Sequence, residues 1–117
     1  MKKDDTVYLK HILDAIQQIE QYLQGVTKEQ FLQTKLLQDG VVRELEIIGE
    51  ASRNLSEELR KRHPEVPWRQ IIGMRNRMIH EYFDVDLEIV WEVTEKDLPD
   101  LKARIQAILR EQGRQTP

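Results

Sequence analysis

The sequence predicts an all-α fold, a mainly antiparallel bundle of about five to six helices. Apolar residues recur every three to four positions over most of the chain, and caps or breakers stand at the ends of those runs. No alternating strand pattern, internal repeat or low-complexity tract competes with them. The 117 residues are one domain's worth, expected over 1–112 with a polar tail at 113–117.

Leu9, Ile12, Ile16, Ile19 and Leu23 fall on one stripe of a helix from about Asp5 to Gln24, and Gly25 ends it. Thr27, followed three residues later by Gln30, reads as a capping box opening a short helix that carries Phe31 and Leu32. Leu37, Val41, Leu45, Ile48, Leu55 and Leu59 then predict one long helix from about Leu36 to Arg62. Asp39-Gly40 inside it would signal a turn on local chemistry. The periodicity runs through the pair and overrides that signal, at a glycine cost of about 1 kcal/mol.

Pro64 and Pro67 bracket a break, and Pro67 suits the first position of a helix running to about Tyr82. Asp84 and Asp86 offer caps for a helix with Leu87, Val90, Trp91 and Val93. Asp97 is the expected cap of the last helix, with Pro99 in its first turn and Leu98, Leu101, Ile105, Ile108 and Leu109 facing inward.

Hydrophobic residues make up 39% and charged residues 33%, enough for a core but richer in charge than an average domain, which suits a small helical soluble protein. The absence of cysteine excludes disulfides, thiolate metal sites and a cysteine nucleophile. Met1-Lys2-Lys3-Asp4-Asp5 opens a polar-interrupted segment, and no apolar run approaches the roughly 20 residues of a membrane span. The expected location is cytoplasmic. A net charge of −3 argues against nonspecific coating of nucleic acid. That average hides an asymmetry, because Arg60, Lys61, Arg62, Arg69, Arg75 and Arg77 face only Glu65 across their stretch, which leaves −8 on the rest. Arg60, Lys61 and Arg62 read equally well as a helix C-terminus complementing its dipole.

His11 reads as a surface or packing residue, and His63, before Pro64, as a dipole-complementing residue at a helix end. No two histidines have helical ligand spacing, and Glu81, Asp84, Asp86 and Glu88 read as caps and solvated termini rather than as a cation site. No metal or cofactor is expected. His80 is set apart by its company, Arg75-Asn76-Arg77-Met78-Ile79-His80-Glu81-Tyr82-Phe83. On a helix Asn76 and His80, four apart, would share a face, and Arg75 could reach the same point. Histidine can take a proton from a ribose hydroxyl or give one to a leaving oxygen, and arginine can stabilise charge on phosphoryl oxygens. RNA brings its own 2′-OH nucleophile, so the trio suits phosphodiester transfer. It suits equally a helix C-terminus with a buried polar network.

The chain resembles the HepT-like branch of the HEPN domains, the ribonuclease toxins of the type VII HEPN/MNT toxin–antitoxin pairs. The signature is Arg, four residues, His, any residue, Tyr, matched by Arg75, His80 and Tyr82, with Asn76 in the usual place after the arginine. The likeness continues through Leu45-Glu46-Ile47-Ile48-Gly49-Glu50-Ala51, His63-Pro64-Glu65-Val66-Pro67-Trp68-Arg69 and Ile71-Ile72-Gly73-Met74-Arg75-Asn76. Gly40 is the one oddity, at a place where a better helix former is expected.

The resemblance implies a homodimer with a composite site built from two arginines and two histidines, with Arg75, Asn76 and His80 catalytic. It implies metal-independent endonucleolytic cleavage of RNA and a nucleotidyltransferase antitoxin that transfers AMP onto Tyr82. Read locally, Tyr82 is also an ordinary aromatic packing residue, with Phe83 beside it able to take the core position. Glu50 is a candidate partner for a basic motif residue, or a solvated helix-face carboxylate. A different class of function stays open: a noncatalytic helical module that assists nucleotide or substrate binding by a nucleotidyltransferase. The intact Arg, His and Tyr set favours the enzyme.

Overall fold

The computed structural model describes residues 3–115 of the chain. Three long helices make its frame: α1 (Lys3–Tyr22), α3 (Lys35–Asn54) and α8 (Leu98–Gln115). Tyr22 at the end of α1 lies against Gly40 near the start of α3, while Asp5 at the start of α1 reaches Ser56 just past the end of α3. The two helices are therefore antiparallel. Lys102 pairs with Glu20 at 2.9 Å, and Glu111 with Arg62 at 3.7 Å, which sets α8 antiparallel to α1. The predicted stripes meet in the middle: Leu9, Ile12, Ile16 and Ile19 of α1, Val41, Leu45 and Ile48 of α3, and Ile105 and Ile108 of α8 are all buried. No helix among the described residues is long and apolar enough to cross a membrane.

Several local predictions are realised. Gly25 closes α1 with φ +72°, a conformation that suits glycine. Thr27 caps α2 (Lys28–Gln33) in the reciprocal box with Gln30, at 3.1 and 2.9 Å. Helix α3 runs straight through Asp39-Gly40, and the tertiary structure accounts for the glycine: a Cβ there would stand 3.0 Å from the Tyr22 ring.

The long helix expected to reach Arg62 is instead two. Leu55 takes extended geometry, and Ser56 caps a new helix, α4 (Glu57–Arg62), by accepting from the Leu59 N–H at 3.1 Å. The almost fully buried Asp5 fixes this corner, accepting from the Ser56 N–H at 2.8 Å and its hydroxyl at 2.7 Å. Hydrogen bonds to a buried carboxylate are worth more than neutral ones, so Asp5→Ala is expected to cost about 2 kcal/mol. Urea unfolding should show a lower midpoint at unchanged slope, with a smaller loss for Asp5→Asn, which keeps a carbonyl acceptor.

The helix expected from Pro67 to Tyr82 is also shorter and divided. Pro67 is the cap residue of α5 (Trp68–Ile72), Gly73 makes a turn, and α6 (Met74–Met78) ends four residues before Tyr82. Ile79 leaves helical geometry and starts a small antiparallel hairpin, β1 (Ile79–Glu81) with β2 (Asp84–Val85), in place of the last turn of the expected helix. The hairpin is irregular between Ile79 and Glu81, and a bond from the Asp86 N–H to the Met78 carbonyl at 2.7 Å closes its base. Asp86 then caps α7 (Leu87–Glu92) as expected, accepting from the Ile89 N–H at 3.1 Å.

Asp97 does not cap the last helix. Helix α7 passes into one π-helical stretch, Val93–Asp97, and then directly into α8. The reason lies in Pro99, which lacks an N–H and whose ring crowds the preceding turn of an α-helix. A widened turn just before it lets the chain continue without a break. Helix α8 also runs into the expected tail as far as Gln115, and Thr116 and Pro117 lie outside the described residues.

Candidate active site

Helix α6 is held to the frame by its apolar side, where Met74 and Met78 are buried, and this turns Arg75, Asn76 and Arg77 outward. Arg75 crosses to α3, where its Nε donates to Glu46 Oε2 at 3.1 Å. Its side chain is 59% exposed, and among the described residues no hydrogen bond engages its terminal nitrogens, so the contact fixes one edge of the guanidinium only. That is a presentation suited to an oxyanion, which the two terminal nitrogens can meet as a fork. On α3, Gly49 faces α5, where an added Cβ would meet the Ile71 carbonyl at 3.4 Å, an ordinary van der Waals distance.

Arg75 stands on a ridge between two grooves. One, of about 450 Å³, brings it beside Tyr8, His11, Glu50 and Asn54. The other, of about 470 Å³, brings it beside Arg43, Tyr82 and Phe83. Tyr82 is 91% exposed at the hairpin tip, its ring edge-on to Phe83 at 5.2 Å between centroids. Phe83 is itself 74% exposed, so it does not take the core position expected of it.

The shared helix face of Asn76 and His80 is not formed. Asn76 is on α6, whereas His80 is exposed in the middle of β1, beyond the helix end. Among the described residues no hydrogen bond joins Arg75, Asn76, His80 and Tyr82. The structure thus brings Arg75 and Tyr82 onto one groove, and sets His80 on the hairpin outside its lining. Glu50 lines a groove with Arg75 but pairs with Arg53 at 3.8 Å, and the carboxylate that meets Arg75 is Glu46, one helical turn earlier. Nothing local singles out Glu46, because its partner is 29 residues away in sequence.

The remaining histidines differ. His11 is exposed, edge-on to Tyr8 at 6.1 Å. His63 is buried at the end of α4, its Nδ1 3.2 Å from Glu65 Oε2, and its carbonyl accepts from the Trp68 indole at 3.0 Å. Among the described residues no three His, Asp or Glu side chains come together as a metal-holding group.

A bundle of this layout, with an outward-facing arginine at the start of a short helix and an exposed histidine and tyrosine on the hairpin that follows, is an all-α domain of the HEPN type. The chain belongs to the ribonuclease HepT-like family, whose model matches residues 12–108. It is 41% identical over 108 residues to a Thermococcus cleftensis protein named "Probable ribonuclease HepT", covering 92% of this chain and 98% of that one. It is 42% identical over 105 residues to a Caldanaerobacter subterraneus protein named "Putative RNase", covering 90% and 94%. A Methanocaldococcus jannaschii protein named "Gamma-glutamylcyclotransferase and putative RNase" is 46% identical over 111 residues; the match covers 95% of this chain but only 50% of that relative's length. No solved structure matches the chain.

Proposed function

We propose that the chain is a metal-independent RNA endonuclease acting as a homodimer, the toxin of a HEPN/MNT pair, restrained by a nucleotidyltransferase antitoxin that transfers AMP onto Tyr82. The observation that carries this reading is the presentation of Arg75, tethered through Nε to Glu46 with its terminal nitrogens open beside a groove. In the proposed step the His80 imidazole removes the ribose 2′-OH proton and the 2′-oxygen bonds to phosphorus. The bond to the 5′-oxygen breaks, and that oxygen takes a proton from the His80 of a second copy. The products are a 2′,3′-cyclic phosphate and a 5′-hydroxyl. Arg75 meets the extra charge on the non-bridging oxygens, and Asn76 offers a further donor.

Two copies are required because one chain carries a single His80, placed apart from its own Arg75 groove, and twofold symmetry supplies the second proton-transfer group. Pairing also doubles the basic stretch, which helps an acidic protein attract RNA. Purified protein should cleave unstructured RNA in excess chelator and leave cyclic phosphate ends, and light scattering should give about twice the chain mass. Chelator-sensitive cleavage, or a monomer cutting at full rate, would contradict this mechanism.

A further inference from the structure

Away from Arg75, a groove of about 400 Å³ runs between α4 and α5, lined by Glu57, Arg60, Lys61, Trp68, Arg69 and Ile72. Three of the six are cations and one is an acid. Lys61 is partly answered by Glu57 at 3.4 Å, but among the described residues no acid pairs with Arg60 or Arg69. Arg60 is half-buried, and its Nε is enclosed without a hydrogen-bond acceptor while its terminal nitrogens remain accessible. Its stem is therefore held by packing and its head is presented, which lowers the ordering cost of binding an anion. Trp68 and Ile72 give the groove an apolar side, and the Trp68 ring is fixed by its bond to His63.

We propose that this groove is a second RNA contact, gripping the phosphodiester backbone of a single-stranded segment that flanks the one held at Arg75. The inference rests on the ribonuclease reading. Arg69 on α5 and Arg75 on α6 are six residues apart, so their backbones lie within about 22 Å of each other, a span that a few nucleotides of one strand can cover. Phosphates spaced along a strand match separate arginine forks, and the stretch from Arg60 to Arg77 carries six basic residues against Glu65 alone.

The test is fluorescence anisotropy with a 2′-O-methyl oligonucleotide of about twelve nucleotides, which lacks the nucleophile and so separates binding from cleavage. Arg60→Gln/Arg69→Gln is expected to weaken binding about tenfold and to lower the log–log salt slope by roughly 1.4, two phosphate contacts at about 0.7 each. Arg69→Gln, at an exposed position, should give about half of that slope change and decides the matter if the double variant does not fold. Lys10→Gln, exposed on α1, makes the same single charge change, and an equal loss from it would reduce the effect to overall charge and overturn the site. Wild-type binding by both arginine variants would overturn it too, as would capture of poly-glutamate in place of the oligonucleotide. Wild-type protein that binds but cuts no cleavable RNA would end the ribonuclease reading, while weakened binding by the variants would still support the groove.

Discussion

His80→Ala is expected to slow RNA cleavage about 10²- to 10⁴-fold, the usual range for losing a positioned proton-transfer group. Arg75→Ala should cost a comparable factor through lost stabilisation of the phosphoryl charge. Both effects can be separated from folding because both side chains are exposed. His80 stands on a short hairpin outside the core, and the one ion pair of Arg75, to Glu46, is itself exposed and worth no more than about 1 kcal/mol. Arg75→Lys should recover little, since an ammonium keeps the charge but cannot hold Glu46 through Nε and present a terminal fork at once. Glu46→Ala should slow cleavage less than either, by freeing the guanidinium rather than removing it. Single-turnover rates with melting curves for each variant decide the matter. Folded His80→Ala or Arg75→Ala protein cleaving at the wild-type rate would remove that residue from the mechanism.

Much of what depends on short-range chemistry is legible in the chain. Gly25, the Thr27 and Gln30 box and the Asp86 cap act within one turn of themselves, and the buried stripes of α1, α3 and α8 are set by helical period. At Gly40 the apolar periodicity rightly overrides the local turn signal of Asp39-Gly40, but the reason for the glycine, the Tyr22 ring, belongs to another element. The break at Ser56 had a local signal that periodicity masked: a serine followed by Glu57 and Glu58 is a cap with acids in the first turn. The end of α6 was harder to see. Ile79, Tyr82, Phe83 and Val85 favour extended backbone, yet apolar spacing in so short a stretch fits helix and strand alike. That ambiguity mattered most at the site, since it moved His80 from a helix face shared with Asn76 to the middle of β1. The link between Arg75 and Glu46 follows only from the packing of α6 on α3, which no local pattern encodes.

AMP on Tyr82 is expected to abolish cleavage by the molecules that carry it, with a loss on the order of 10²-fold or more, as severe as losing the charge stabilisation by Arg75. Tyr82 is the most accessible of the large exposed apolar side chains, and its hydroxyl needs no unfolding to reach a second enzyme. In the proposed transfer the Tyr82 oxygen would bond to the α-phosphorus of ATP as the bond to the β-phosphate oxygen breaks and pyrophosphate leaves, the phenolic proton passing to a base of the transferase or to solvent. The product places a phosphodiester, with one negative charge and a bulky nucleoside, in the groove that Arg75 and Arg43 line. Those arginines can then pair with the attached phosphate, and an incoming RNA phosphate meets both an occupied fork and a like charge. Tyr82→Phe should fold, since its ring is outside the core, remain largely active and escape modification at that position. Co-expression with the cognate nucleotidyltransferase, followed by intact mass, peptide mapping and a cleavage assay, tests each step. Modification confined to another residue, or full activity after stoichiometric modification of Tyr82, would overturn this regulation and leave the nuclease assignment untouched.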